Sequence, residues 1–198
     1  MFGSKFAFCL LTSTMLSMPV LAADVTLYNA DDIEFKTENG IDIAYTADGK
    51  TLSGALILPD DEGRQITYFY RNGLKHGVAT SHYEDGKMEL EITYRKGLKN
   101  GEEITFYENG EPQFKKTYSN DVLDGEYIAF YNNGKPQQRS LYEKGFLSGE
   151  TDYFDHDGNL VKIEHYQNGV KNGVERIIQN NTLVEENNYV DEIGRAHV

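Results

Sequence analysis

Histidine and carboxylate side chains are where acid–base or metal chemistry would have to reside in this 198-residue sequence. His76, His82, His156 and His165 are scattered, and no two share the spacing that puts paired imidazoles on one helix face for zinc. The single cysteine, Cys9, cannot complete a thiolate site. Glu102, Glu103, Glu126, Glu150, Asp152 and Glu175 supply carboxylates, but a hydrolytic pair needs a cleft that drives two pKa values apart. "DHDGN" at 155–159 begins like a calcium loop, yet its glycine comes at the fourth position instead of the sixth. No G-x-S-x-G elbow and no phosphate-binding glycine loop leading into a helix occurs. These patterns predict no catalytic residue, no metal and no cofactor. The abundant functional side chain is tyrosine, 14 residues with no tryptophan, which suits contact and hydrogen bonding over bond-making.

The residues that must position those tyrosines recur at fixed intervals. Gly73, Gly97, Gly145 and Gly169 form one column, with Asp121 in the remaining place. Gly77, Gly101, Gly125, Gly149 and Gly173 form a second, and Gly86, Gly110, Gly134 and Gly158 a third. Tyr70, Tyr94, Tyr118, Tyr142 and Tyr166 form a fourth. Each step is 24 residues, and a fixed period of this size is the signature of a repeat array. Toward the end of the chain Thr182 replaces the third-column glycine, and Tyr189 arrives one residue early, as expected of a terminal unit facing water on one side.

Within a unit, "EEITFY" and "EYIAFY" are rich in β-formers and are followed by Asn109-Gly110 and Asn133-Gly134, residues that tolerate positive φ in hairpins. "RKGLKNG" and its relatives make the second reversal, whose apolar member (Leu74, Leu98, Val122, Phe146, Val170) is expected to tuck under the sheet edge. The glycines are thus read as the points where the chain turns back. The fold class expected is all-β: an elongated antiparallel sheet or solenoid of tandem 24-residue hairpins, each stabilised by its neighbours. Tyr94, Tyr118, Tyr142 and Tyr166 are expected to form an internal ladder. Tyr83, Tyr107 and Tyr131, partly outward-facing, are the candidate anchors for a partner.

Residues 1–23 have the charged start, apolar stretch and small-residue end of a signal peptide, so a periplasmic or secreted location is expected. Residues 24–53 read as a degenerate N-terminal β region or cap, with turns at Asn39-Gly40 and Asp48-Gly49; the array proper runs over 54–190. The final "EIGRAHV" resembles a translated sequencing-adapter oligonucleotide, so 191–198 are expected to be a non-native or disordered tail. The chain carries 19 basic and 32 acidic side chains, net −13; loss of Lys5 with the leader leaves −14. Such a surface repels nucleic acid and anionic lipid and favours a basic protein partner.

The word Y-x-x-G-x-x-x-G-x5-Y-x-x-G at 94–110, "YRKGLKNGEEITFYENG", resembles the MORN-repeat variant of bacterial proteins, a group that includes YwqK-family antitoxins. The resemblance spans about 54–190. It implies a stacked-hairpin fold and a non-catalytic scaffold or binding surface. It also implies an antitoxin or immunity protein that occludes a basic toxin; the alternative is a structural spacer of the cell envelope.

Overall fold

A computed structural model describes residues 26–61 and 63–190; the expected signal peptide at 1–23 with Cys9, and the expected non-native tail at 191–198, lie outside them. The first strands are β1 Leu27–Tyr28, β2 Ile33–Glu38, β3 Ile41–Thr46, β4 Gly54–Pro59 and β5 Gln65–Arg71. Next come β6 Leu74–Lys75, β7 Gly77–His82, β8 Met88–Arg95, β9 Leu98–Phe106, β10 Pro112–Ser119 and β11 Val122–Phe130. The last are β12 Pro136–Glu143, β13 Phe146–Phe154, β14 Leu160–Gln167, β15 Val170–Lys171, β16 Gly173–Gln179 and β17 Thr182–Tyr189. One 3-10 turn at Ala30–Asp32 is the sole helical segment among the described residues. From β4 to β17 the strands form one antiparallel meander within a single 15-stranded sheet, β5 pairing with both β6 and β7 and β14 with both β15 and β16, so the architecture is all-β and built from consecutive hairpins. At ~4.8 Å per strand, each two-strand unit lengthens the sheet by ~10 Å.

Two kinds of reversal alternate, and they differ from the expectation. Both residues of Asn72-Gly73, Lys96-Gly97, Asn120-Asp121, Lys144-Gly145 and Asn168-Gly169 have positive φ, the two-residue turn that matches strand twist. At the Asx-Gly pairs of the third column only the glycine is left-handed. There Gly110 N–H bonds to Tyr107 O and Tyr107 N–H to Glu111 O, each at 2.8 Å, the three-residue loop with a glycine bulge. The Asx side chain caps that loop by accepting from the N–H two residues on, as Asn109 does from Glu111 at 3.1 Å. The final unit replaces this loop by the shorter Asn180-Asn181 turn, with φ of 51° and 57°. That loss explains why Tyr189 comes one residue early. Asp121 fits a glycine column because it also accepts φ 65°, while its carboxylate takes Lys99 N–H at 2.6 Å.

The second-column glycines are not reversals, which corrects the sequence reading. They lie inside or at the start of strands, directly opposite the tyrosine of the next strand: Gly77 faces Tyr94, Gly101 Tyr118, Gly125 Tyr142 and Gly149 Tyr166. Register shifts beside several of these pairs mark bulges. At Gly125, φ is 131° and an added Cβ would sit 2.9 Å from Thr117 Cβ, so close backbone approach excludes a side chain.

Apolar burial is uneven. Ala44, Leu52, Leu56, Ile66, Tyr68, Ala79, Leu90 and Ile92 form one cluster at the N-terminal end. The expected worn-down first unit is a separate two-stranded sheet, β2–β3, turning at Asn39-Gly40. It lies against the turns at 72–75 and 96–98, with Ile43 over Gly73 and Ile41 over Gly97. Beyond that cover Val170 is half-buried, whereas two turn-edge apolar side chains do not tuck in, Val122 at 43% and Phe146 at 58% exposed. Each instead rests on the glycine of the following turn, Val122 on Gly145 and Phe146 on Gly169.

Candidate interaction edge

Tyr83, Tyr107 and Tyr131 each open a glycine-bulge loop, so the repeat places them in register along one edge of the sheet. All three are half-buried. Their hydroxyls point into the array: Tyr83 donates to Phe106 O at 2.5 Å, and Tyr107 and Tyr131 donate to Phe130 O and Phe154 O, each at 2.8 Å. Every such bond crosses from one unit to the next, so this second aromatic column is also a structural ladder. The polar tip is thus committed, and what stays exposed is ring surface. The flanking side chains continue the lacing: Asn109 Nδ2 donates to Asn132 O at 2.7 Å and Asn133 Nδ2 to His156 O at 2.8 Å. Glu84, Asp85, Glu108, Glu111 and Asp157 stand exposed along the same edge.

The other tyrosine column lies at the opposite ends of the strands. Tyr94 is buried, whereas Tyr118, Tyr142 and Tyr166 are partly covered. Burial raises the Tyr94 and Tyr118 hydroxyl pKa values above the ordinary phenol range. Lysines lie over several of these rings, with Lys75 5.3 Å from the Tyr94 centroid, Lys99 5.0 Å from Tyr118 and Lys171 3.9 Å from Tyr189.

Between the two columns runs a row that turns from apolar to ionic. Ile92, Lys116, Ser140 and Glu164 occupy one place in successive units and face the same side. Glu103 in this row pairs with Lys99 and Lys116. Glu164, 6% exposed, accepts from Tyr166 at 2.8 Å and from Lys162 and Lys171 at 3.1 Å. Burial opposes the Glu164 charge, but hydrogen bonds from Tyr153, Tyr166, Lys162 and Lys171 bring its pKa down to about 2. Lys171 also holds Glu175 at 2.6 Å and is the main cause of that carboxyl's lowered pKa. Glu164 was not among the carboxylates singled out by sequence; the drift along its 24-residue column was the available signal. This row is an ionic core in which each buried carboxylate is paired with lysine or tyrosine donors.

The histidines remain apart. His82 is exposed. His156 stacks on Tyr131 at 3.9 Å between ring centres. His165 lies between Val174 O, 2.6 Å from Nδ1, and Glu150, 3.0 Å from Nε2. Glu102, Glu126 and Glu150 are exposed, and among the described residues no group of three or more His, Cys, Asp or Glu could hold a metal. Nor is any described helix long and apolar enough to cross a membrane.

No curated protein matches the chain. The family model of the MORN repeat variant matches residues 75–96, 99–120 and 123–144. Each match runs from the exit of one positive-φ turn, through a second-column glycine and a glycine-bulge loop, to the next positive-φ turn. The three central hairpin units are therefore similar, in tandem, to the MORN repeat variant.

Proposed function

We propose that the protein is an exported, non-catalytic binding module that holds a basic protein partner along the edge bearing Tyr83, Tyr107 and Tyr131. One observation carries this reading: three successive units present a half-buried ring whose hydroxyl is bonded to the next unit, along an edge with exposed carboxylates, the third ring being stacked by His156. The rings are immobilised by their ladder bonds, so little side-chain freedom is lost on contact. The carboxylates steer a cationic surface toward them. Occlusion of a toxin, as an antitoxin or immunity protein would achieve it, needs nothing more than this rigid edge. Glu84→Lys combined with Glu108→Lys tests it. Affinity for the partner drawn from periplasmic extract should fall at least tenfold, with the thermal midpoint unchanged; unaltered affinity rejects the surface.

A scaffold or envelope spacer is the second reading. It is favoured by β17, the last strand of the described sheet, where Leu183 and Val184 are half-exposed on an edge that invites end-to-end pairing. Oligomers that lengthen with concentration in sedimentation would favour it over the binding module.

A further inference from the structure

The tyrosine ladder stops one step before the array does. Moving 24 residues on from Tyr131 and its acceptor Phe154 reaches Asp155 and Ile178. The loop around Asp155 keeps its form: Asp155 N–H bonds to Asn159 O and Gly158 N–H to Asp155 O, each at 2.9 Å, like the corresponding pair at Tyr131 and Gly134. The acceptor side is kept as well. Phe106, Phe130 and Phe154 each stand at a register shift, and Ile178 stands at the same irregularity in its strand. Apart from the shorter turn that follows, what is missing is the ring. The Asp155 carboxylate does not reach across; it folds back onto Asp157 N–H at 2.9 Å and Asn159 N–H at 2.8 Å.

A cavity of about 600 Å³ opens at this place, lined among others by Asp155, Asn159, Leu160, Val161, Ile178 and Asn181. A groove of similar size beside Tyr83 has that ring as a wall. At Asp155 no aromatic side chain contributes to the lining. The shortened Asn180-Asn181 turn removes one residue from the far side.

We propose that this cavity is a docking slot for a tyrosine side chain projected by a protein partner, which would complete the ladder in trans. The chain displays the ligand three times over: a phenol lying between two loops, its hydroxyl given to the backbone carbonyl of the next unit. Leu160, Val161 and Ile178 supply apolar surface for the ring, and Ile178 O supplies the acceptor that fixes its orientation. The inference rests on the reading of this edge as a protein-binding surface, but it is tested without any partner.

The probe is p-cresol, with toluene as the analogue lacking the hydroxyl, titrated into the full chain and followed by amide chemical shifts. Saturable shifts should centre on Asn159, Ile178 and Asn181, with toluene binding at least threefold more weakly, as expected from one hydrogen bond. Asp155→Tyr should supply the ring in cis, raise the thermal midpoint and abolish the p-cresol shifts. In that variant Asp157 takes over the loop-capping role that Asp85 performs for Lys87. Absence of saturable shifts at these residues, equal binding of toluene, or undiminished p-cresol binding to a folded Asp155→Tyr would each overturn the proposal. If Asp155→Tyr does not fold, the p-cresol and toluene comparison on the unaltered chain decides. Loss of partner binding in the Glu84 and Glu108 reversals, with the p-cresol shifts intact, separates the slot from the wider surface.

Discussion

Tyr70 sits deep in the N-terminal cluster, and its buried hydroxyl has no hydrogen-bond partner among the described residues. Burial drives its pKa above the ordinary phenol range. An unsatisfied hydroxyl costs free energy that a hydrogen at the same place does not, so removing it leaves the ring packing intact while relieving the penalty. Tyr70→Phe is expected to stabilise the fold by about 1 kcal/mol in urea unfolding. The same substitution at Tyr107 has the opposite sign, costing about 1 kcal/mol, because that hydroxyl is bonded to Phe130 O. Two tyrosines in one 24-residue grammar thus respond in opposite directions. The sequence marks both as columns; which hydroxyl is satisfied depends on where the neighbouring unit places its carbonyl.

The glycine facing a tyrosine is the feature on which each hairpin depends. Gly125 combines a φ of 131° with a Cβ position 2.9 Å from Thr117 Cβ, so a side chain meets both backbone strain and a fixed β-branched neighbour. Gly125→Ala should cost about 2–3 kcal/mol, whereas Gly110→Ala, whose added Cβ meets nothing within 4 Å, should cost about 1 kcal/mol for its φ of 89°. Paired urea titrations distinguish them. Equal costs would mean that conformation alone keeps glycine at 125, as it does at Gly77 and Gly149, where an added Cβ meets nothing within 4 Å. The periodicity shows that both columns are glycine, and it misassigns the second to reversals. Reversals and bulges demand the same residue, and only strand pairing tells them apart.

Along the whole array, the means of stabilisation changes from apolar to ionic. The N-terminal end is covered by β2–β3 and filled by Leu52, Leu56, Ile66 and Ile92, while the equivalent layer farther on holds Lys116, Ser140 and Glu164. Glu164, with its pKa held at about 2 against an ordinary 4.5, contributes stability that is fully present above pH 4.5 and lost as pH falls toward 2. Glu175, also lowered, acts in the same direction. Hydrogen exchange should therefore show β13–β17 opening first between pH 4.5 and 3, with β4–β8 protected throughout. Glu164→Gln should flatten that acid response at some loss of stability near neutrality; an unchanged acid limb would show that the ionic row does not hold the distal units.

How much of this was legible beforehand follows from the range of the forces involved. Hairpin identity, period and the all-β class depend on turn residues and alternation over a few positions, so they are written locally in words such as "YRKGLKNGEEITFYENG". The two tyrosine columns were visible for the same reason. Contacts between residues 17 to 24 apart were not: the glycine opposite each tyrosine, the hydroxyl donated to the next unit, and the gap at Asp155 follow from how one hairpin settles on another. The ionic core around Glu164 and the cover provided by β2–β3 also come from distant parts of the chain meeting, where burial and pairing, not local preference, set the energy of each side chain.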